Sequence, residues 1–230
     1  AIDVEIPCKI NDGLIVCTSG STGNPKAVEI SSAAIKSAVQ IVNSQFNTPA
    51  SWLLAINPAF IGGFMVLARA IISEQNWEYG LDDNAKFSPD LFAGIAQTQI
   101  AKFGKVRTSL VSAQLAALVA QDHIETLKKF DAILVGGGQI SPKQYQQLKN
   151  EGVNLIRTYG MTESSGGVVW DGKTLGEVKI RIENPSQNGA GRISILSPSN
   201  ATCYHGSSEG IKNLNETTFN QGWLLTQDIG

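Results

Sequence analysis

The stretch TSGSTGNPK (Thr18 to Lys26) places four hydroxyls, two glycines and one lysine directly after the apolar run GLIVC. Gly20 and Gly23 let the backbone bend so that successive N–H groups converge, which makes a nest for an anion. Thr18, Ser19, Ser21 and Thr22 add hydroxyl donors. Lys26, set beside the loop by Pro25, adds a compact positive charge. Together these groups match the oxygens of a di- or triphosphate. Composition alone leaves an ordinary polar turn as an equal account, because turns use the same residues. The loop is not a Walker A sequence: Lys26 stands three places after Gly23 and is followed by Ala27 and a strand-like AVEIS. Phosphates would therefore rest on a loop between two strands, not on a helix N-terminus.

Such a loop needs elements to hold it. GLIVC and KAVEI predict the flanking strands, and WLLAI, VRTSLV, AILVGG and NLIRTY predict further ones. Between them, SSAAIKSAVQIVNSQF puts Ile35, Ala38, Val39 and Val42 on one helical face, with Ser31 or Ser32 as N-cap. SPDLFAGIAQTQIAKFG and SPKQYQQLKNEG each begin with a capping serine and a proline at the first helical position. Both end at a glycine suited to a C-cap. This alternation predicts an α/β body around a mostly parallel sheet flanked by helices. After about Gly166, the segments GEVKIRIE, GRISILS and GWLLT alternate at period two between Gly, Asn, Ser and Pro clusters. They predict a smaller antiparallel β region without a helix. The expected division is 1–165 for the α/β core and 166–230 for the β-rich part.

At 42% hydrophobic, 17% charged and a net charge of −2 over 230 residues, the chain has an ordinary globular composition. That balance supplies no basic footprint for nucleic acid and no polybasic anchor for a membrane. The longest apolar run, GGFMVLARAII, contains Arg69 and is too short to span a bilayer. AIDVEIPCKINDG lacks the basic and apolar regions of a secretory signal. Cys8, Cys17 and Cys203 are odd in number and widely spaced, which argues against a disulfide framework or a zinc site and for reduced thiols in the cytoplasm. His123 and His205 lie away from every motif and read as surface or structural positions.

TSGSTGNPK resembles the phosphate-loop signature of the adenylate-forming (acyl-CoA synthetase, AMP-binding) superfamily. YGMTES (Tyr159 to Ser164) resembles its Tyr-Gly-x-Thr-Glu motif, and WLLTQDIG its Trp-x-x-Thr-Gly-Asp-x-Gly motif, in the same order along the chain. RTYGMTESSGGVVWDG and the acyl-pocket segment TSLVSAQL are most similar to the o-succinylbenzoate–CoA ligases of menaquinone biosynthesis, with Ser112 where proline is common. The resemblance implies the N-terminal core of the adenylate-forming fold, without its C-terminal lid domain. It also implies an acid–thiol ligase that uses ATP, Mg²⁺ and coenzyme A and acts on a small carboxylic acid. It leaves open another aryl, fatty or amino acid as substrate, a catalytically incompetent nucleotide-binding module, and the oligomeric state.

Residue by residue, the resemblance assigns Thr18 to Gly23 and Lys26 to the β- and γ-phosphates, Thr162 to the α-phosphate and Glu163 to Mg²⁺. Tyr159, with Gly160 and Met161, would flank the adenine, and Gly136, Gly137 and Gly138 would floor the pocket. Asp228 would accept both ribose hydroxyls, although Gln227 replaces the usual glycine before it. Phe60 falls where relatives carry a gating aromatic or histidine, and core packing explains it equally well. The start without methionine and the stop at Gly230 read as cut ends. The corresponding expectation is a chain that retains part of the nucleotide and acyl pocket but turns over slowly or not at all.

Overall fold

The computed structural model describes residues 12–18 and 26–230. Ser19, Gly20, Ser21, Thr22 and Gly23 lie outside the described residues, as do Cys8 and Pro25. Strands β1 (Gly13–Thr18) and β2 (Lys26–Ser31) pair antiparallel from Gly13↔Ser31 to Thr18↔Lys26, so the loop candidate joins two paired ends. Helix α1 (Ser32–Asn43) follows at once, and the Ser31 hydroxyl accepts the Ala34 N–H at 3.1 Å as its cap. Its buried face is Ala34, Ile35, Ala38, Val39 and Val42, as the helical period predicts.

The body comprises β3 (Ser51–Leu54), α2 (Ile61–Ile72), β4 (Trp77–Tyr79), α3 (Pro89–Phe103), β5 (Val106–Val111), α4 (Ser112–Ala120), α5 (Ile124–Leu127), β6 (Ala132–Gly136), α6 (Pro142–Asn150) and β7 (Leu155–Met161). A 3₁₀ turn over Thr162–Ser164 leads into β8 (Gly166–Trp170) and β9 (Lys173–Thr174). The sheet runs β4-β3-β5-β6-β7-β8-β9, with the first five strands parallel and the last two antiparallel. The central strands are buried along most of their length because helices cover both faces. Ser141 caps α6 by accepting the Gln144 N–H, whereas Ser88 precedes α3 without a side-chain cap bond, contrary to expectation. The apolar run around Arg69 forms α2, and Ser112 opens α4. The sheet also continues past the expected 165/166 division, to Thr174.

Beyond it lie β10 (Lys179–Glu183), β11 (Arg192–Leu196), β12 (Cys203–Tyr204), α7 (Glu209–Thr218), β13 (Phe219–Asn220) and β14 (Trp223–Ile229). Four of these make an antiparallel sheet in the order β10-β11-β14-β13, as expected, while β12 returns to pair with β2. Helix α7 corrects the expectation of a helix-free region. Its Asn and Thr content hides it from propensity, but the Ser208 hydroxyl accepts the Ile211 N–H and both Ile211 and Leu214 pack on the core. That core also takes Val28 and Ile30 of β2, Ile35 and Val39 of α1, and Met65 of α2. Hairpin, helices and β12 are thereby locked together beside Lys26. Among the described residues, no helix is long and apolar enough to cross a membrane.

Candidate active site

A cleft of about 880 Å³ opens where the carboxyl ends of the parallel strands face the hairpin and the antiparallel sheet. Open α/β sheets bind ligands at this edge. Its lining brings together Thr18, Lys26, Gly136, Gly137, Gly160, Met161, Thr162, Glu163 and Asp228 from five separate segments. Phe60 also lines it and is 52% exposed, which rules out core packing for that ring. Gly138 and Tyr159 are not part of this lining. The cleft volume is in the range of small-molecule sites.

Glu163 sits in the 3₁₀ turn, which is pinned on two sides. The Ser164 hydroxyl accepts the Met161 N–H at 3.0 Å and donates to the Gly166 carbonyl at 2.8 Å. The Ser165 hydroxyl donates to the Ser199 carbonyl at 2.6 Å, and the Ala201 N–H donates to the Glu163 carbonyl at 2.7 Å. The two serines after the glutamate are therefore fasteners of the turn. Gly160 is required by packing as well: a Cβ there would stand 1.9 Å from the Gly166 carbonyl oxygen, inside the β7–β8 contact. Gly137 has φ +67, a backbone conformation that excludes most side chains.

Asp228 reaches the cleft because β14 leaves the regular ladder: Ser194 pairs with Leu225, but Arg192 already pairs with Ile229. The Asp228 N–H donates to the Thr226 hydroxyl at 3.2 Å. Gln227 does not have a positive φ, so this backbone has no need of the glycine it replaces. Tyr159 lines a second, shallower cavity of about 470 Å³ with Arg157, Asp171, Ile180 and Ile193. Its hydroxyl nevertheless donates to Asp228 Oδ2 at 2.8 Å. Burial, and then this carboxylate, push the phenol well above its ordinary range, so it stays a donor.

Tyr204, Arg69 and Trp170 also line the cleft and carry no sequence assignment. Tyr204 donates to Glu163 Oε1 at 2.8 Å, and Lys26 Nζ lies 4.9 Å from the centroid of its ring. Arg69, on α2, is only 5% exposed, and its Nε and Nη1 have no hydrogen-bond partner among the described residues. Its guanidinium lies 5.0 Å from the Trp52 ring, and desolvation pulls its pKa down to about 10. The Trp170 Nε1–H is also buried without a partner among the described residues. The lone arginine in an apolar run was the legible signal for Arg69; no local pattern marks Tyr204. His205, next in the chain, is buried near Glu29, while His123 meets Asp90 at 2.8 Å toward the surface.

A phosphate chain fits beside Lys26, Thr18 and Thr162 on charge and donor chemistry. For a divalent ion, the described residues contain no cluster of three or more His, Cys, Asp or Glu. A single cleft-facing carboxylate still fits Mg²⁺, which takes one or two carboxylates and completes its shell with water and phosphate oxygens. Glu163 is the group that could hold it.

The sequence profile of the AMP-binding enzyme family matches residues 5–205. The chain belongs to this family. The probable 2-succinylbenzoate–CoA ligase of Mycobacterium tuberculosis strain H37Rv is 34% identical over 223 residues, covering 94% of this chain and 54% of that protein. The o-succinylbenzoate CoA synthetase of Bacillus subtilis bound with a product analogue superposes with a TM-score of 0.81 at 23% identity, over 96% of this chain and 47% of that one. The same enzyme in complex with ATP and magnesium ion gives 0.78 at 24%, over 94% and 46%. At such identities the superpositions show the AMP-binding fold. The chain spans about half the length of the curated relatives it matches.

Proposed function

We propose that this AMP-binding chain carries the nucleotide and acid sites of an ATP-dependent acid–CoA ligase whose acid is o-succinylbenzoate, as in menaquinone biosynthesis. One observation carries the reading. A single cleft is lined by Lys26, Thr162, Glu163 and Asp228 and also by the buried Arg69, whose Nε and Nη1 lack partners among the described residues. A buried guanidinium without a counter-charge is costly unless a ligand supplies one. o-Succinylbenzoate has two carboxylates, one to be activated and one left to meet Arg69. A fatty acid has only the first and would leave Arg69 unmatched.

In the first step a carboxylate oxygen attacks the α-phosphorus of ATP, the new P–O bond forms, and pyrophosphate leaves with the bridging oxygen. Lys26 and Thr18, with the hydroxyls and amides of the loop between them, receive the departing charge. Thr162 holds an α-phosphate oxygen, and alignment with charge stabilisation supplies most of the acceleration. Glu163 would hold Mg²⁺, which would supply electrostatic neutralisation of the phosphates. Asp228, fixed by Tyr159, accepts the ribose hydroxyls. In the second step the thiol of coenzyme A attacks the acyl carbonyl, loses its proton and displaces AMP. The need for ATP and coenzyme A supports a cytoplasmic location.

Calorimetry with AMP, Mg²⁺–ATP and o-succinylbenzoate tests the reading. Nucleotide and acid are expected to bind, with ATP affinity falling at least tenfold in Lys26→Ala and Glu163→Gln while the melting temperature holds. Nucleotide binding without any response to the acid overturns the choice of substrate; no nucleotide binding overturns the ligase reading.

A further inference from the structure

Tyr204 touches both charged groups at the phosphate end of the cleft, although it belongs to none of the sequence motifs. Its hydroxyl donates to Glu163 Oε1 at 2.8 Å, which fixes one carboxylate oxygen of a residue that lines the cleft and leaves the other unengaged by this bond. Its ring carries the Lys26 ammonium at 4.9 Å from the centroid. The residue is 5% exposed, and Phe219 meets its ring edge-on at 5.3 Å. Two bonds clamp its backbone to α7: the Tyr204 N–H donates to Asn215 Oδ1 at 2.7 Å, and Asn215 Nδ2 donates back to the Tyr204 carbonyl at 2.8 Å. The β12–β2 pairing, Tyr204↔Val28, sets the strand beside the one that starts at Lys26.

We propose that Tyr204 is a positioning residue for the proposed ligase reaction: it orients Glu163 toward the metal through its hydroxyl and Lys26 toward the terminal phosphates through its ring, with Asn215 of α7 holding it in place. The physical grounds are ordinary. A glutamate has three rotatable bonds, and a short bond to one oxygen removes the orientations that would not face the nucleotide. An ammonium over an aromatic face keeps its charge while losing lateral freedom. A neutral phenol does both without cancelling either charge, which an acidic or basic neighbour could not.

The inference rests on the proposed function, and its test separates the two. Tyr204→Phe keeps the ring and deletes the hydroxyl; Tyr204→Leu deletes both. In calorimetry, Tyr204→Phe is expected to raise the Mg²⁺ concentration that half-saturates ATP binding about tenfold, the worth of one hydrogen bond to a charged group. Metal-free binding of AMP, and of pyrophosphate in EDTA, should stay within twofold. Tyr204→Leu should repeat the metal effect and also weaken metal-free pyrophosphate binding several-fold. Asn215→Ala should reproduce a milder form of the Tyr204→Leu pattern. A merely structural tyrosine would weaken AMP, pyrophosphate and metal dependence together, and that result overturns the proposal. So does an unchanged Mg²⁺ midpoint in Tyr204→Phe while the parent chain binds AMP normally, an outcome that leaves the ligase reading intact. A parent chain that binds no nucleotide at all overturns both.

Discussion

Arg69 is held charged at a cost. Burial lowers its folded pKa to about 10, below the ordinary guanidinium range, with desolvation as the cause. Below about pH 10 both folded and unfolded chains carry the proton, and the folded state bears the whole penalty, on the order of 3 kcal/mol. Between that pH and the ordinary guanidinium range the unfolded chain binds more protons, so stability rises with pH across that window. The contact with Trp52 returns about 1–2 kcal/mol. Arg69→Met, similar in length and apolar, is therefore expected to stabilise the ligand-free chain by about 1 kcal/mol at neutral pH in urea titrations. The same change should abolish acid binding in calorimetry. A destabilised variant would mean that the guanidinium already has its counter-charge. The Tyr159 hydroxyl makes a second residue-scale case. Tyr159→Phe removes the donor to Asp228 and should weaken AMP five- to tenfold, about 1 kcal/mol. 2′,3′-Dideoxy-AMP, which has no diol to present, should bind both forms alike.

Among the elements, the β7–turn–β8 unit carries the most constraint. Gly160→Ala drives a Cβ to 1.9 Å from the Gly166 carbonyl oxygen, and neither backbone has room to give. The expected loss is about 3 kcal/mol in urea denaturation. Gly94→Ala in α3, where an added Cβ meets nothing within 4 Å, should instead gain about 0.5–1 kcal/mol through helix propensity. Equal effects at the two sites would contradict the packing read here. Much of this layer was written in local sequence. Ser31 and Ser141 cap where their positions suggest, and the apolar strands fall where their runs lie, because capping and burial act over a few residues. Helix α7 escaped because its stability comes from Ile211 and Leu214 meeting the hairpin core, a tertiary effect that propensity does not see. The β8 and β9 strands escaped for the same reason: the pinned turn fixes the pairing of β8 with β7, β9 then pairs with β8, and the change in composition near Gly166 is not a change of sheet. Tyr204 was invisible because its partners, Glu163 and Lys26, are 41 and 178 residues away.

At the scale of the molecule, the cleft is where the separate pieces meet. The hairpin brings Lys26, the large sheet brings Thr162 and Glu163, the antiparallel sheet brings Asp228, and α2 brings Arg69. A ligand that spans the cleft bonds to all of them and thereby resists the separation of any one. Linkage then sets the size of the effect: AMP at about a hundred times its dissociation constant should add about 2.7 kcal/mol. For a chain of this length that corresponds to roughly 5–10 °C in melting temperature. o-Succinylbenzoate added to the AMP-bound chain should raise the midpoint further in the parent and leave Arg69→Met unmoved. Hydrogen exchange should show the gain in protection at β2, at the 162–164 turn and at β14 together, since one ligand ties them. Protection confined to the turn, with β2 and β14 unaltered, would mean that nucleotide binds on one wall alone and that the hairpin lysine takes no part in holding it.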